Sequence, residues 1–448
     1  MAETTAIDEL KVEVFSQETI KPSCPTPEEL RSINRISVFD QLSPAIYVPV
    51  LLFYRGGDGQ KASDKSRRLR SSLSDVLTQF YPLAGRIKDN FWIDCSDQGV
   101  AYKEAKVGCL LDDILEKPET AKLKELLPVA VESTEAGTGL LLLVQTSFFE
   151  CGGLAVGVCI SHKIADGASL GAFIGALACS AGKEAPRPSF TISSAFPPCE
   201  DLKNLPKMEL AKDKCVTRRF VIDSSRIAAL RAKASSSAVP RPTRVEAASA
   251  LIWKCASNAS RRIHGDPSRP AILSQAVNLR RPVAAATVQI SPENSVGNLV
   301  GCFTTRNGDA GVELACLVAD MRASVKQYTS SYPKMLQGQP PESTTRMVLE
   351  AAAHFTSLMN SNGTDFYNCS SWCKLWFYEA DFGWGRPSWV ATSGWDFKNS
   401  IVLIDSNEED GVEVWLTLTE PHMAEMDGDR ELLRFTESNP SIVTSPPP

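Results

Sequence analysis

The chain has 448 residues, 43% hydrophobic and 22% charged, the proportions of a soluble globular protein with length for two or three domain cores. Lys and Arg number 47 against 53 Asp and Glu, leaving −6, which disfavours a nucleic-acid partner because phosphate binding needs a basic face. The most apolar segment, 140–144, is far below the roughly 20 residues of a membrane span, so no membrane partner is expected.

The opening "MAETTAIDELKVEV" is acidic where a secretory leader would be basic and then apolar, so a cytoplasmic location is expected. The 13 cysteines, with no C-x-x-C pair, then read as reduced and mostly buried thiols. Residues 66–80 place Leu69, Leu73, Val76, Leu77 and Phe80 at helical spacing, and Pro82 stops the pattern. The apolar runs "GLLLLVQTSFFE" and "LAVGVCIS", separated by Glu150-Cys-Gly-Gly153, predict a largely buried hairpin that ends at His162. From Gly167 the period changes: Leu170, Phe173, Ile174, Leu177 and Ala178 define a helix to about Gly182.

Five prolines and no clear period in 183–216 mark a crossover between domains, so the chain divides into 1–196, a linker at 197–214, and 215–448. After the crossover, "TRRFVID" reads as a strand and a helix carries Ile227 and Leu230. Thr243-Arg-Val-Glu246 has capping-box spacing and opens a helix through Trp253. The tail "SPPP" is low in complexity.

His162 and Asp166 stand at the strand-to-helix connection, a place that presents side chains to a cleft. An imidazole there can take a proton from a hydroxyl and return it later, although a core histidine with satisfied ring nitrogens has the same sequence signature. Asp166 suits the N-cap of the following helix, or a pairing with an arginine from elsewhere; either job is geometric. The rival nucleophile is Ser169 within Gly167-Ala-Ser-Leu-Gly171, which fits G-x-S-x-G but lies inside the predicted helix rather than on the turn. Its glycines are better explained by close helix packing.

The remaining histidines, His264, His354 and His422, have no companion at ligand spacing, so no metal site is expected. In "YEADFGWGRP", Gly383 and Gly385 permit a tight aromatic turn in which Asp381 satisfies local amides, while the Trp384 indole could also serve as a donor in a dry site. Neither a Rossmann nor a P-loop glycine motif occurs.

"SHKIADG" followed far downstream by "DFGWG", together with "FYPLAGR", "FFECGG", "TRVEAASALIWK", "AVNLRRP" and "SSWC", resembles the plant BAHD acyltransferases across nearly the whole chain. The wording is similar to the branch that acetylates alkaloid alcohols. The resemblance implies a two-domain, chloramphenicol-acetyltransferase-like α/β fold with mixed sheets and an active-site channel between the domains. It implies transfer from acyl-CoA, here acetyl-CoA, to a small-molecule alcohol by a monomer with no tightly bound cofactor. His162 would be the general base in a ternary complex, Trp384 the oxyanion donor, and Arg280 the partner of Asp166. Asp381, with Gly383 and Gly385, would hold the second motif, and Arg241 and Thr243 would meet the CoA phosphates. An amine acceptor, a hydroxycinnamoyl donor, or hydrolysis through Ser169 stand as alternatives.

Overall fold

A computed structural model describes residues 10–31, 34–179, 187–200, 202, 214–287, 290–307, 311–407 and 410–443. Most of the expected linker and the "SPPP" tail lie outside the described residues. Two mixed sheets dominate. Among the described residues, the first has six strands in the order Val12–Ile20, Val100–Val107, Leu142–Phe149, Leu154–Ser161, Tyr47–Tyr54 and Trp389–Ala391. Only Val100–Val107 and Leu142–Phe149 run parallel.

The expected hairpin forms with Leu142 opposite Ile160 and Phe148 opposite Leu154. Its strands are buried on both faces, which is why their sequences are continuously apolar rather than alternating. The helices Ala62–Gln79 and Gly167–Cys179 set Leu69, Leu73, Leu170 and Phe173 into one core with Leu51 and Phe53 of the sheet. Packing is tight at Gly171, where a Cβ would lie 2.8 Å from the Leu375 carbonyl oxygen. The glycine therefore serves helix approach, and no nucleophile elbow exists there.

Among the described residues the second sheet orders seven strands: Val300–Asn307, Ala271–Asn278, Asp365–Ser371, Ser400–Asp405, Val412–Thr419, Cys215–Ile222 and Glu437–Ser438. Strand alternation gives it two faces. Leu273, Tyr367, Ile401, Leu403, Val414 and Leu416 pack on one side with the helix Arg244–His264. Val402, Ile404 and Trp415 point the other way, into the first domain's core. The Arg244–His264 helix starts at the expected Thr243–Glu246 capping box and runs past Trp253, because Cys255, Ala256 and Ala259 continue its buried face until Gly265 ends it at φ 62°.

The halves are interleaved as well as stacked. Trp389–Ala391, from the second half, pairs with Tyr47–Tyr54 at the edge of the first sheet, with Trp389 opposite Phe53. The Trp389 ring stacks between Phe53 at 5.1 Å and Trp415 at 6.2 Å. Its indole Nε1 donates to the Glu413 carboxylate at 3.1 Å, and Arg219 grips the same carboxylate through Nε at 2.7 Å and Nη2 at 2.8 Å. Both charged side chains are 3% exposed.

Removing one member of such a pair strands the other charge in a low-dielectric core. Glu413→Ala is therefore expected to lower unfolding free energy by about 3–5 kcal/mol in urea titrations, with Glu413→Gln falling in between because it keeps an acceptor for the indole.

Candidate active site

His162 directly follows the strand Leu154–Ser161, and its backbone N–H donates to the Ile46 carbonyl at 2.9 Å. The turn behind it is tied down by Ser161 Oγ, which donates to Ala136 O at 2.6 Å, and by Lys163 Nζ, which donates to Gln41 O at 2.7 Å and Ser43 O at 3.1 Å. Burial pushes the Lys163 ammonium down to about 8, partly offset by Asp40. The loop therefore holds one orientation for the imidazole.

The ring itself is oriented by Asn298. Asn298 Nδ2 donates to Asp40 Oδ1 at 2.8 Å and to the His162 carbonyl at 2.7 Å, so its Oδ1 must be the atom 3.1 Å from His162 Nδ1. An amide oxygen is acceptor only, which makes Nδ1 the protonated ring nitrogen and leaves Nε2 with a lone pair able to accept a proton. Asp40 anchors the arrangement: Oδ1 also accepts from the Asn298 backbone, and Oδ2 accepts from Ser37 N and Oγ. Burial lowers the basicity of His162, only partly opposed by the Asp166 charge, so the imidazole is neutral at neutral pH.

Asp166 combines both geometric roles open to it. Its Oδ1 accepts from Ser169 N at 2.9 Å, capping the helix, and Arg280 grips both oxygens, Nη1 to Oδ2 at 2.8 Å and Nη2 to Oδ1 at 3.0 Å. Leu299 N adds a fourth bond at 3.1 Å. Burial alone would raise this carboxyl, but Arg280 and the two amides outweigh it and hold it below the usual range. Arg280 in turn donates to Ser295 O, Gly297 O and Ser169 Oγ. Ser169 Oγ also donates to Gly297 O and accepts from Gly297 N, a fully engaged and 1% exposed hydroxyl.

A cavity of about 340 Å³ opens beside His162. Pro44, Ile46 and Val48 line it from the first half, and Ala276, Val300, Phe355, Trp372, Leu375, Trp395 and Phe397 from the second. Trp372 sits with Nε1 close to Gly167, 3.6 Å from where a Cβ would be, and the indole has no acceptor among the described residues. A second cleft of about 390 Å³ carries Arg231, Thr243, Arg244 and Lys374, and Ser371 lines both spaces. The cationic cleft thus abuts the apolar cavity at the end of the strand Asp365–Ser371.

The second motif lies elsewhere. Asp381 Oδ1 accepts from Gly383 N at 2.7 Å and Gly385 N at 3.0 Å, closing a turn at φ 97° and 100°. A Cβ on Gly383 would also strike the Arg68 guanidinium at 2.2 Å. The Trp384 indole, assigned above as oxyanion donor by resemblance, packs on Tyr54 at 6.0 Å and Phe382 at 5.5 Å under the Lys65 ammonium. It does not line the cavity that holds His162. Thr243 lines the second cleft and is committed to Glu246 through its capping box, while Arg241 is exposed just ahead of it, its carbonyl accepting from Arg322.

Sequence reasoning missed Asn298 and Asp40. Asn298 is 136 residues from His162, and Asp40 sits in the Ser37 capping box of the helix Val38–Leu42, so no local pattern ties either to the histidine. It also left His264 and His422 apart, whereas the fold brings their rings to 5.9 Å. Among the described residues no three His, Cys, Asp or Glu side chains gather as metal ligands.

A family model described as the Transferase family matches residues 10–433. Akuammiline synthase 1 of Alstonia scholaris is 38% identical, covering 94% of this chain and 97% of the relative. A BAHD acyltransferase of Arabidopsis thaliana is 36% identical over 97% of this chain and 100% of its own length. An epi-neemfruitin B 7-O-acetyltransferase of Melia azedarach is 34% identical over 96% and 100%. The crystal structure of vinorine synthase superposes with a TM-score of 0.82 at 33% identity, covering 96% of this chain and 99% of that one.

Arg280→Ala is expected to destabilise the fold by about 3–5 kcal/mol at neutral pH by stranding Asp166. Since Asp166 titrates lower in the folded state than unfolded, the pair's contribution is full above the ordinary carboxylate value of about 4 and is lost as pH falls through the folded value. The gap between wild type and Arg280→Ala, read by denaturation at several pH values, should close in that acid window.

Proposed function

This chain belongs to the plant BAHD acyltransferases, enzymes that use acyl-CoA, and we propose that it moves the acetyl group of acetyl-CoA onto a hydroxyl of a specialised metabolite such as an alkaloid or terpenoid alcohol. One observation carries the reading: a neutral His162, its tautomer set by Asn298, faces an apolar cavity that meets a cationic cleft at Ser371. An acceptor alcohol fits the first space and the phosphates of a CoA thioester suit the second.

In this mechanism both substrates bind before reaction. Nε2 of His162 removes the hydroxyl proton as the oxygen attacks the thioester carbonyl. The carbonyl becomes a tetrahedral oxyanion, which requires a donor on the cavity wall. Trp372, whose indole lines that wall, is the donor assigned here in place of Trp384. Collapse breaks the carbon–sulfur bond, and the imidazolium returns its proton to the departing CoA thiolate. No acyl-enzyme forms and no cofactor is consumed.

Asp166 and Arg280 act as positioning residues, fixing the His162 turn and the 295–299 loop that brings Asn298 to the ring. Asp381, Gly383 and Gly385 hold the aromatic turn against the first domain through Gln60, whose Nε2 donates to Gly383 O at 2.9 Å. Thr243 and Arg241 flank the start of the Arg244–His264 helix, whose N-terminus favours anions and so suits the CoA phosphates. The enzyme would work as a cytosolic monomer; among the described residues no helix is long and apolar enough to cross a membrane.

Purified protein with acetyl-CoA and a panel of terpenoid, alkaloid and phenylpropanoid alcohols, followed by free-thiol release, tests the reading. His162→Ala should lower turnover by about a thousandfold, whereas Ser169→Ala, which removes one tie to the 295–299 loop but no reacting group, should cost far less. The opposite pattern would establish a serine hydrolase instead. Because burial lowers the His162 pKa, the acid limb of kcat/KM should fall below pH 6.5, and activity should be lost only as pH drops through it. Asn298→Ala, which frees the tautomer, should lower kcat roughly a hundredfold, the low end of acid–base contributions.

A further inference from the structure

The face of the second sheet that turns toward the first domain is apolar where it is sealed, at Val402, Ile404 and Trp415. Farther along, the same face carries Ser274, Asn368 and Ser400, and these sit directly opposite one another: Ser274 beside Asn368, and Asn368 beside Ser400. All three line the cavity of His162. Ser274 and Ser400 are 2% and 9% exposed and Asn368 is half-buried at the cavity, so this row presents hydrogen-bonding groups on an otherwise apolar sheet face. Ser274 meets the Cys302 thiol, but the Asn368 amide and the Ser400 hydroxyl have no partner among the described residues.

The charge of the cavity narrows the ligand. Among its described lining residues the one carboxylate is Asp166, and both its oxygens are held by Arg280. A protonated amine would therefore lose its hydration without gaining a counter-ion, which is strongly unfavourable. A ketone, ester, ether or second hydroxyl loses little and finds the donors of the polar row.

We propose that Ser274, Asn368 and Ser400 form a recognition subsite for a neutral oxygen function of the acceptor, remote from the hydroxyl that is acylated. The acceptor class is then uncharged and oxygenated rather than a protonated alkaloid. This rests on the acyl-transfer reading of the same cavity. Asn368 gives discrimination, since its amide both donates and accepts and stands in register between Ser274 and Ser400 with neither bonded to it.

The test uses acetyl-CoA at pH 7 with polycyclic alcohols on diterpenoid, triterpenoid, steroid and indole-alkaloid skeletons. Members are matched in three forms: with a remote ketone, with a methylene in its place, and with a protonated tertiary amine in its place. The expected order of kcat/KM is ketone, then methylene, then amine. Asn368→Leu should raise KM about tenfold for ketone members relative to their methylene counterparts, the size of one neutral hydrogen bond. Asn368→Asp should reverse the preference toward amine members, and both variants should keep the wild-type melting temperature.

Acylation that ignores the remote group, or that favours amine members in the wild type, overturns the subsite. Equal KM effects of Asn368→Leu on ketone and methylene members overturn it too, by showing a merely structural role. If no alcohol on any skeleton is acylated, the acyl-transfer reading itself fails and this inference falls with it.

Discussion

One ion pair, Asp166 with Arg280, ties together everything around the histidine. Its side chains are 3% and 4% exposed, so neither charge is tolerable without the other. Asp166 belongs to the turn that ends the hairpin and starts the helix Gly167–Cys179, and Arg280 opens the short helix Arg280–Ala284 in the second half. Pairing them forces the halves into one relation. Through Gly297 O, Leu299 N and Ser169 Oγ, the pair also clamps the loop that delivers Asn298.

That delivery converts packing into chemistry. A free imidazole exchanges its proton between two nitrogens, and only one tautomer can act as base toward the cavity. Asn298 selects it because its own amide is spoken for, with Nδ2 shared between Asp40 and the His162 carbonyl. Asp40 is a buried carboxyl raised by burial and opposed by hydrogen bonds to Ser37 and Asn298, so its work is orientation rather than proton transfer. A carboxylate placed directly on the ring would have raised its basicity; an amide fixes direction and leaves a mild base.

The sheet between the two cores explains the cavity. Alternation gives each strand one face for the helix Arg244–His264 and one for the first domain. Where the domains touch, the second face is aliphatic and aromatic. Where they part, it turns to Ser274, Asn368 and Ser400, and a space remains beside His162. The Trp389, Glu413 and Arg219 cluster sits at the touching end.

Local order was legible in the residues. The hairpin, the helices at Ala62–Gln79 and Gly167–Cys179 and the capped helix at Thr243 follow from apolar period and capping chemistry, which act over a few residues. The His162 and Asp166 pair was visible for the same reason, since the change of period marks a strand-to-helix turn. The interleaved strand Trp389–Ala391 and the meeting of His264 with His422 were not, because nothing local encodes a contact across the chain. Sequence by itself determined which side chains could act as base, cap or partner. Tertiary structure decided that Trp372 lines the cavity and Trp384 does not, that Ser169 is locked away, and that Asn298 sets the tautomer. Those outcomes depend on distances between segments over a hundred residues apart, which only the packed cores define.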